Sequence, residues 1–162
     1  MQSRFPLRRY SVLVVLFLGL YMTAVMPSIA LSTARTAGTA SLTVHVIGAR
    51  NAKGTIRAAL FGDAKGFPNN ASEAVQAQAA EIDPQTLSVK IVFTNLPEGI
   101  YAVSVFHDEN MNQKLDKNFM GIPKEGYGAS SNPKKKMGPP TFEETKFQLS
   151  GTLQVLEITL IY

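Results

Sequence analysis

Beyond position 41 the chain alternates apolar and polar residues in short runs. Leu42, Val44 and Val46 alternate with Thr43 and His45, and after Gly48 to Gly54 a second run sets Ile56, Ala58 and Leu60 on one face. A period of two is the mark of a strand with one buried face. These runs predict two strands joined by a short turn through Asn51-Ala52-Lys53-Gly54. His45 falls on the face opposite Leu42, Val44 and Val46, where a solvated or hydrogen-bonded imidazole is expected. Gly62 to Asn70 carries Asp63, Gly66, Pro68 and two asparagines, a composition that supplies turns, so it reads as a loop with Phe67 tucked in as its anchor. Ser72 to Ile82 mixes helix-favouring Ala and Gln with alternation at Val75, Ala77 and Ala79, and is read as a strand or irregular segment.

Leu87, Val89, Ile91 and Phe93 alternate cleanly. In Asn95-Leu96-Pro97-Glu98-Gly99, Pro fixes one φ and Gly accepts a positive one, which predicts a turn and a central hairpin. The return strand, Ile100 to Phe106, points Tyr101, Val103 and Val105 to one face and delivers His107 and Asp108 to its end. Asn132 to Pro140, with Lys134, Lys135 and Lys136 between prolines, reads as a solvated surface loop. Two last strands, Glu143 to Leu149 and Thr152 to Ile161, are split by Ser150-Gly151, and the change of apolar phase from Leu153 and Val155 to Leu156, Ile158 and Leu160 predicts a bulge at Val155 or Leu156. About seven short strands with regular turn signals predict an all-β fold, an antiparallel β-sandwich of immunoglobulin-like or prealbumin-like kind.

The N-terminus has a different character. Arg4, Arg8 and Arg9 precede an uncharged apolar run from Ser11 to Met26, and Pro27-Ser28-Ile29-Ala30 then places small residues where a signal peptidase reads. The order predicts a signal peptide over residues 1–30, a flexible Ser/Thr/Ala/Gly-rich leader over 31–40 and one sandwich domain over 41–162. The alternative is an uncleaved anchor, although a run of about 16 apolar residues is shorter than the roughly 17 to 25 that span a bilayer. An exported protein, periplasmic or extracellular, follows from either reading, with membrane contact only through this segment if it is retained.

Removing that segment changes the charge. Of 16 Lys and Arg, three arginines leave with it, so 13 face 12 Asp and Glu, a formal +1. Nucleic acid is therefore not an expected partner. The chain has no cysteine, so the domain is held by its core and not by disulfides.

The chemistry concentrates between His107 and Ser130. Asp108, Asn110, Asn112 and Asp116 put side-chain oxygens at positions 1, 3, 5 and 9 of one loop, with the Lys114 carbonyl at position 7. This is the spacing by which a chain wraps oxygens around calcium. It is no EF-hand, because Gln113 stands where that hand has its glycine and Phe119 where it has its bidentate Glu. A second reading stands beside it: in an Asx-turn loop the same side chains accept backbone N–H groups two residues on and need no metal. His107, Glu125, Tyr127 and Ser130 are the candidate ligand-binding residues. Gly121, Pro123, Gly126, Tyr127 and Gly128 would either line a shallow pocket or form an Ω-type loop packed by Ile122 and Tyr127. An enzyme would use His107 as base, Asp108 or Glu125 as its partner, and Ser130 or a water as nucleophile, but no nucleophile elbow, zinc pair or phosphate loop accompanies them.

Three motifs, Asn95-Leu96-Pro97-Glu98-Gly99-Ile100-Tyr101, His107-Asp108-Glu109-Asn110 through Asp116, and Gly121-Ile122-Pro123-Lys124-Glu125-Gly126-Tyr127-Gly128-Ala129-Ser130, occur in the order found in a bacterial exported family, domain of unknown function (DUF) 2141. Over Ser41 to Tyr162 the chain resembles that family. More distantly, the Leu-Pro-x-Gly-x-Tyr turn resembles prealbumin-like and carboxypeptidase-regulatory-like sandwich modules. The resemblance implies an exported module and carries no activity with it. Gln113 departs from the glycine expected there. The expectation is a noncatalytic exported β-sandwich that binds a cell-envelope ligand, glycan or protein at the edge formed by 107–130, with calcium ordering it. The alternatives are a purely structural envelope protein or a hydrolase using His107.

Overall fold

The computed structural model describes residues 39–134 and 138–162. The expected signal peptide, almost all of the leader, and Lys135 and Lys136 of the lysine loop lie outside the described residues. No helix among the described residues is long and apolar enough to cross a membrane.

Among the described residues, eight strands form two facing sheets: β1 (Ala40–Ile47), β2 (Thr55–Phe61), β3 (Gln76–Glu81), β4 (Val89–Leu96), β5 (Gly99–Asp108), β6 (Tyr127–Ala129), β7 (Phe147–Leu149) and β8 (Leu153–Thr159). One sheet has the order β4-β1-β8; the other runs β3-β2-β5-β6, with β7 also pairing β5. The protein is an all-β sandwich. Leu42, Val44 and Val46 of β1, Ile91 and Phe93 of β4 and Ile158 of β8 face Ile56 and Leu60 of β2 and Val103 and Val105 of β5 across one apolar core. This burial is the main force holding a chain without disulfides. A smaller cluster covers the outer face of the second sheet, where Phe67 stands edge-on between Phe61 (ring centroids 5.2 Å apart) and Phe142 (6.0 Å). Phe67 is the loop anchor that the sequence suggested.

Several connections differ from the sequence reading. β1 and β2 lie in different sheets, as do β4 and β5, so the Pro97-Glu98 connection is an arch across the sandwich and not a hairpin. Alternation reports which face of a strand is buried and is silent about which strand it pairs with. The positive φ of that region sits on Asn95 (57°) and not on Gly99. It coincides with a bulge, since Ala40 pairs Leu96 while Leu42 pairs Phe93, leaving one extra residue on β4. Within the otherwise antiparallel sandwich, β1 and β8 run parallel in unbroken register from Ser41↔Leu153 to Ile47↔Thr159. No bulge interrupts β8: Leu153 and Val155 are exposed on its outer face while Leu156 and Ile158 point inward.

The predicted strand from Glu143 is shorter than expected. Phe142–Thr145 is a single helical turn (α1), and only Phe147–Leu149 pairs. Thr141 and Glu144 close a capping box around its start, a local bond pattern that outweighs the strand tendency of the flanking residues. The Ser72–Ile82 stretch resolves into a 3-10 turn at Ala71–Glu73 and the mostly exposed edge strand β3. There Gln76 and Gln78 donate side-chain amides to the Thr94 and Val92 carbonyls of β4, occupying acceptors that would otherwise be an open edge.

Candidate functional site

β5 carries the site. Its inward positions Tyr101, Val103 and Val105 continue to His107, which is fully buried where the core ends. The His107 backbone N–H bonds the Gly126 carbonyl at 2.8 Å. Its Nε2 lies 2.7 Å from the Lys53 carbonyl and its Nδ1 2.8 Å from the Tyr162 hydroxyl. A carbonyl only accepts, so Nε2 carries the proton, and in the neutral ring Nδ1 accepts from Tyr162. The Tyr162 oxygen in turn accepts the Arg50 backbone N–H at 2.9 Å. Burial raises the Tyr162 hydroxyl above its ordinary pKa, which keeps it a donor; the Glu109 charge adds to the rise, while the Arg50 N–H bond and charge oppose it.

Asp108 is also fully buried, on the other face of β5. Its carboxylate accepts the backbone N–H groups of Asn112 (3.0 Å) and Gln113 (2.9 Å), with the Arg57 guanidinium at 3.9 Å. Glu125, 4% exposed, accepts Glu109 N–H at 3.0 Å through one oxygen and Asp116 N–H at 2.9 Å through the other. Both ends of the loop are thereby tied to one buried carboxylate. Charge-assisted bonds of this kind are about twice as strong as neutral ones.

The β1–β2 turn straps this loop from below. The Arg50 guanidinium pairs with Glu109, bonds the Lys124 carbonyl and lies 4.8 Å over the Tyr162 ring. Asn51 donates to the other Glu109 oxygen at 3.0 Å. Burial by itself would raise the Glu109 carboxyl; the Asn51 and Arg50 hydrogen bonds and the Arg50 charge, joined last by His107 when its ring is protonated, outweigh it and hold the group below its ordinary range. Two glycines permit the close approach. A Cβ on Gly54 would sit 1.9 Å from the Asp108 carbonyl oxygen, and one on Gly126 would sit 2.4 Å from the Tyr162 ring.

The oxygens of the expected calcium loop are engaged within the loop itself. Asn110 Oδ1 accepts Asn112 N–H (3.1 Å), Asn112 Oδ1 accepts Lys114 N–H (2.8 Å), and both amide groups donate to Asp116, at 2.8 and 3.0 Å. This is the Asx-turn arrangement. Among the described residues, no three His, Asp or Glu side chains gather around a common point. Met111 and Gln113 hold φ of 61° and 67°, backbone that favours glycine, so the departure at Gln113 falls where glycine would relieve strain.

Of the residues read as ligand-binding, His107, Glu125 and Ser130 are buried inside this framework and Tyr127 is half-exposed. Tyr127 borders an open depression with Asn132, Pro140, Thr141 and Ile161. Ser130 Oγ donates to the Thr145 carbonyl and accepts Val103 N–H. It stands opposite Val103, four positions from His107 along β5, about 13 Å at the strand rise. The His107 ring is bonded to Tyr162 and Lys53, and neither Ser130, Asp108 nor Glu125 bonds it. Gly126 is packed against Tyr162, whereas Gly128, though close against Ile158, also lines that depression beside Tyr127, and Ile122 is 51% exposed rather than packing its own loop.

Sequence reasoning missed the roles of Arg50, Asn51, Glu109 and Tyr162, which come from three separate stretches of the chain. It also missed an apolar tip. Lys117 pairs Pro123 as an isolated bridge, Lys124 N–H bonds the Asp116 carbonyl, and Asn118 N–H bonds the Ile122 carbonyl. At the turn they close, Phe119 is 97% exposed and Met120 64%. Phe119-Met120 before Gly121 was the available signal: two large apolar residues in a stretch without strand alternation.

A family model described as an uncharacterized protein conserved in bacteria (DUF2141) matches residues 44–156. No curated protein and no solved structure matches the chain. The chain belongs to the DUF2141 family.

Two outcomes test this geometry. Gln113→Gly should raise stability by roughly 0.5 to 1 kcal/mol in urea unfolding, the relief of left-handed strain outweighing the greater freedom of glycine in the unfolded chain; a loss would mean that the 3.4 Å contact from Arg57 to Gln113 outweighs the strain. Glu109 has a folded pKa below its ordinary 4.5, so its contribution is full above that value and is lost as pH falls through the lower folded one. Glu109→Gln should therefore cost about 1 to 2 kcal/mol at pH 7 and progressively less toward pH 3, and a gap independent of pH would refute the assignment.

Proposed function

We propose that this DUF2141 protein is exported and acts as a noncatalytic binding module whose contact surface is the loop edge over 107–130. One observation carries the reading. Four large apolar side chains of this edge face solvent, with Met111 64%, Phe119 97%, Met120 64% and Ile122 51% exposed, while its buried polar groups are spent on internal bonds. Contiguous exposed apolar surface on a soluble domain is a usual mark of a contact site. A hydrolytic reading lacks support from the same geometry, since both His107 nitrogens and the Ser130 hydroxyl are occupied. The basic, apolar and small-residue order of the N-terminus supports export.

Calcium belongs to the proposal as an ordering ion and not as a folding requirement. Asp108, Asn110, Asn112, Asp116 and the Lys114 carbonyl would hold it, after the Asn110 and Asn112 amides turn their oxygens toward Asp116 and give up their Asx bonds. Affinity would then fall in the weak extracellular range, roughly 10⁻⁴ to 10⁻³ M.

The absence of cysteine makes accessibility measurable one position at a time. Phe119→Cys should react rapidly with a membrane-impermeant thiol reagent in purified protein and at least about fivefold more slowly in envelope preparations, whereas Lys90→Cys should react alike in both. Equal rates at position 119 would remove the edge as a contact surface. For the ion, chelator should leave the far-ultraviolet circular dichroism unchanged, and about 10 mM calcium against a Kd near 0.5 mM should add roughly 1.8 kcal/mol. That is a rise of several degrees over sodium chloride at matched ionic strength, lost in Asp116→Ala. Without a calcium-specific rise, the ion leaves the proposal and the Asx-bonded loop stays.

A further inference from the structure

We infer that the partner met by this edge is an anionic lipid surface, into which the 118–122 turn inserts. The inference rests on the binding-module reading above and adds the chemistry of the partner. Its first ground is shape: the tip is a projection and not a groove. An added Cβ at Gly121 meets nothing within 4 Å, and Phe119, the most exposed large apolar side chain, sits beside Met120 and three positions from Ile122.

The second ground is the backbone. A turn entering the acyl boundary loses water from its amides, and lipid offers nothing in return, so each amide bonded internally lowers the cost of entry. Here the Met120 and Ile122 N–H groups both donate to Asn118 Oδ1, at 2.9 and 3.0 Å, the Gly121 N–H donates to the Asn118 carbonyl at 2.9 Å, and Pro123 has no N–H. Of the N–H groups in residues 119–122 only that of Phe119 lacks an internal bond, so most of the turn's donors are satisfied before it meets a solvent that offers them no partner.

Charge supplies the third ground. Lys117 and Lys124 are exposed at the two sides of the closing bridge, a cationic collar directly behind the apolar tip. Of the acidic groups nearby, Glu109 is ion-paired with Arg50, Glu125 is buried and Asp116 is half-buried under the Asn110 and Asn112 amides, so the exposed charges of residues 116–125 are the two lysines. Near an anionic surface each lysine strengthens association about fivefold, an effect that salt screens. Apolar tip and collar together form the two-part signal that shallow interfacial binding needs.

The chain contains no tryptophan, so a Phe119→Trp variant of the full-length protein reports on the tip alone, whatever the N-terminal segment does. Adding vesicles of about 30% phosphatidylglycerol in phosphatidylcholine should shift its emission to the blue and make it quenchable by brominated acyl chains. The response should be at least about tenfold weaker with pure phosphatidylcholine and after Lys117→Glu with Lys124→Glu, and should fall in high salt. Leu153→Trp, on the outer face of β8, is the control and should stay unshifted. No emission change in the Phe119→Trp variant, or equal shifts in it and in the control, overturns the inference. An unchanged emission together with slowed Phe119→Cys labelling in the envelope would point to a protein partner and leave the edge reading standing; an unchanged emission with unslowed labelling would sink both.

Discussion

Past Asp108 the chain leaves the sheet with backbone N–H groups that no strand pairs, and two buried carboxylates take them. Asp108 accepts from Asn112 and Gln113, Glu125 from Glu109 and Asp116. Leaving such groups unbonded costs about 1 to 3 kcal/mol each, so these two side chains decide whether a long irregular loop can rest against a core. The rest of the site depends on that closure. With both ends fixed by Glu125, the loop presents Glu109 to Arg50 and Asn51 and leaves the Gly126 carbonyl in place to pair with His107. Tyr162 and Lys53 then seal the His107 ring from either side.

The strands and their buried faces were legible in the sequence because burial alone writes the two-residue period; Leu42, Val44, Val46, Ile91, Phe93, Val103 and Val105 all face the core. Pairing was not legible. β1 and β2 look like a hairpin, as do β4 and β5, but each pair crosses between sheets, and nothing in an alternating run distinguishes a return in the same sheet from an arch to the other. β8 shows the reverse error. Its outward Leu153 and Val155 mimic a phase shift, because the bulge reading assumed that every apolar residue on a strand seeks the core. Thr141-Phe142-Glu143-Glu144 did carry a readable signal, the spacing of a capping box, which strand alternation on either side masked.

For the site, the sequence located the right stretch and left the roles open. Oxygens at alternate positions are what calcium needs and equally what a chain of Asx turns needs, so the spacing cannot choose; the choice lies in whether Asn110 and Asn112 turn oxygen or nitrogen toward Asp116. His107, Glu125 and Ser130 drew notice as functional groups because they are polar, and their burial made them framework. For His107 the partners are Tyr162 and, through it, Arg50, which stand more than fifty positions away, a separation across which local patterns carry no information.

The exposure of the tip follows from that framework and not from any lack of apolar surface nearby. Phe119, Met120 and Ile122 on a slack loop would fold back, since burying even one such side chain is worth about 1.5 to 3 kcal/mol. The turn is not slack. Asn118 closes it through both its side chain and its backbone, Lys117 pairs Pro123, and Lys124 bonds Asp116, whose own N–H is held by buried Glu125. Folding the turn inward would break this ladder and free the Met120, Gly121 and Ile122 N–H groups that Asn118 now holds. The chain of bonds from Glu125 through Asp116 to Asn118 thus holds apolar side chains outward at a standing cost in solvation.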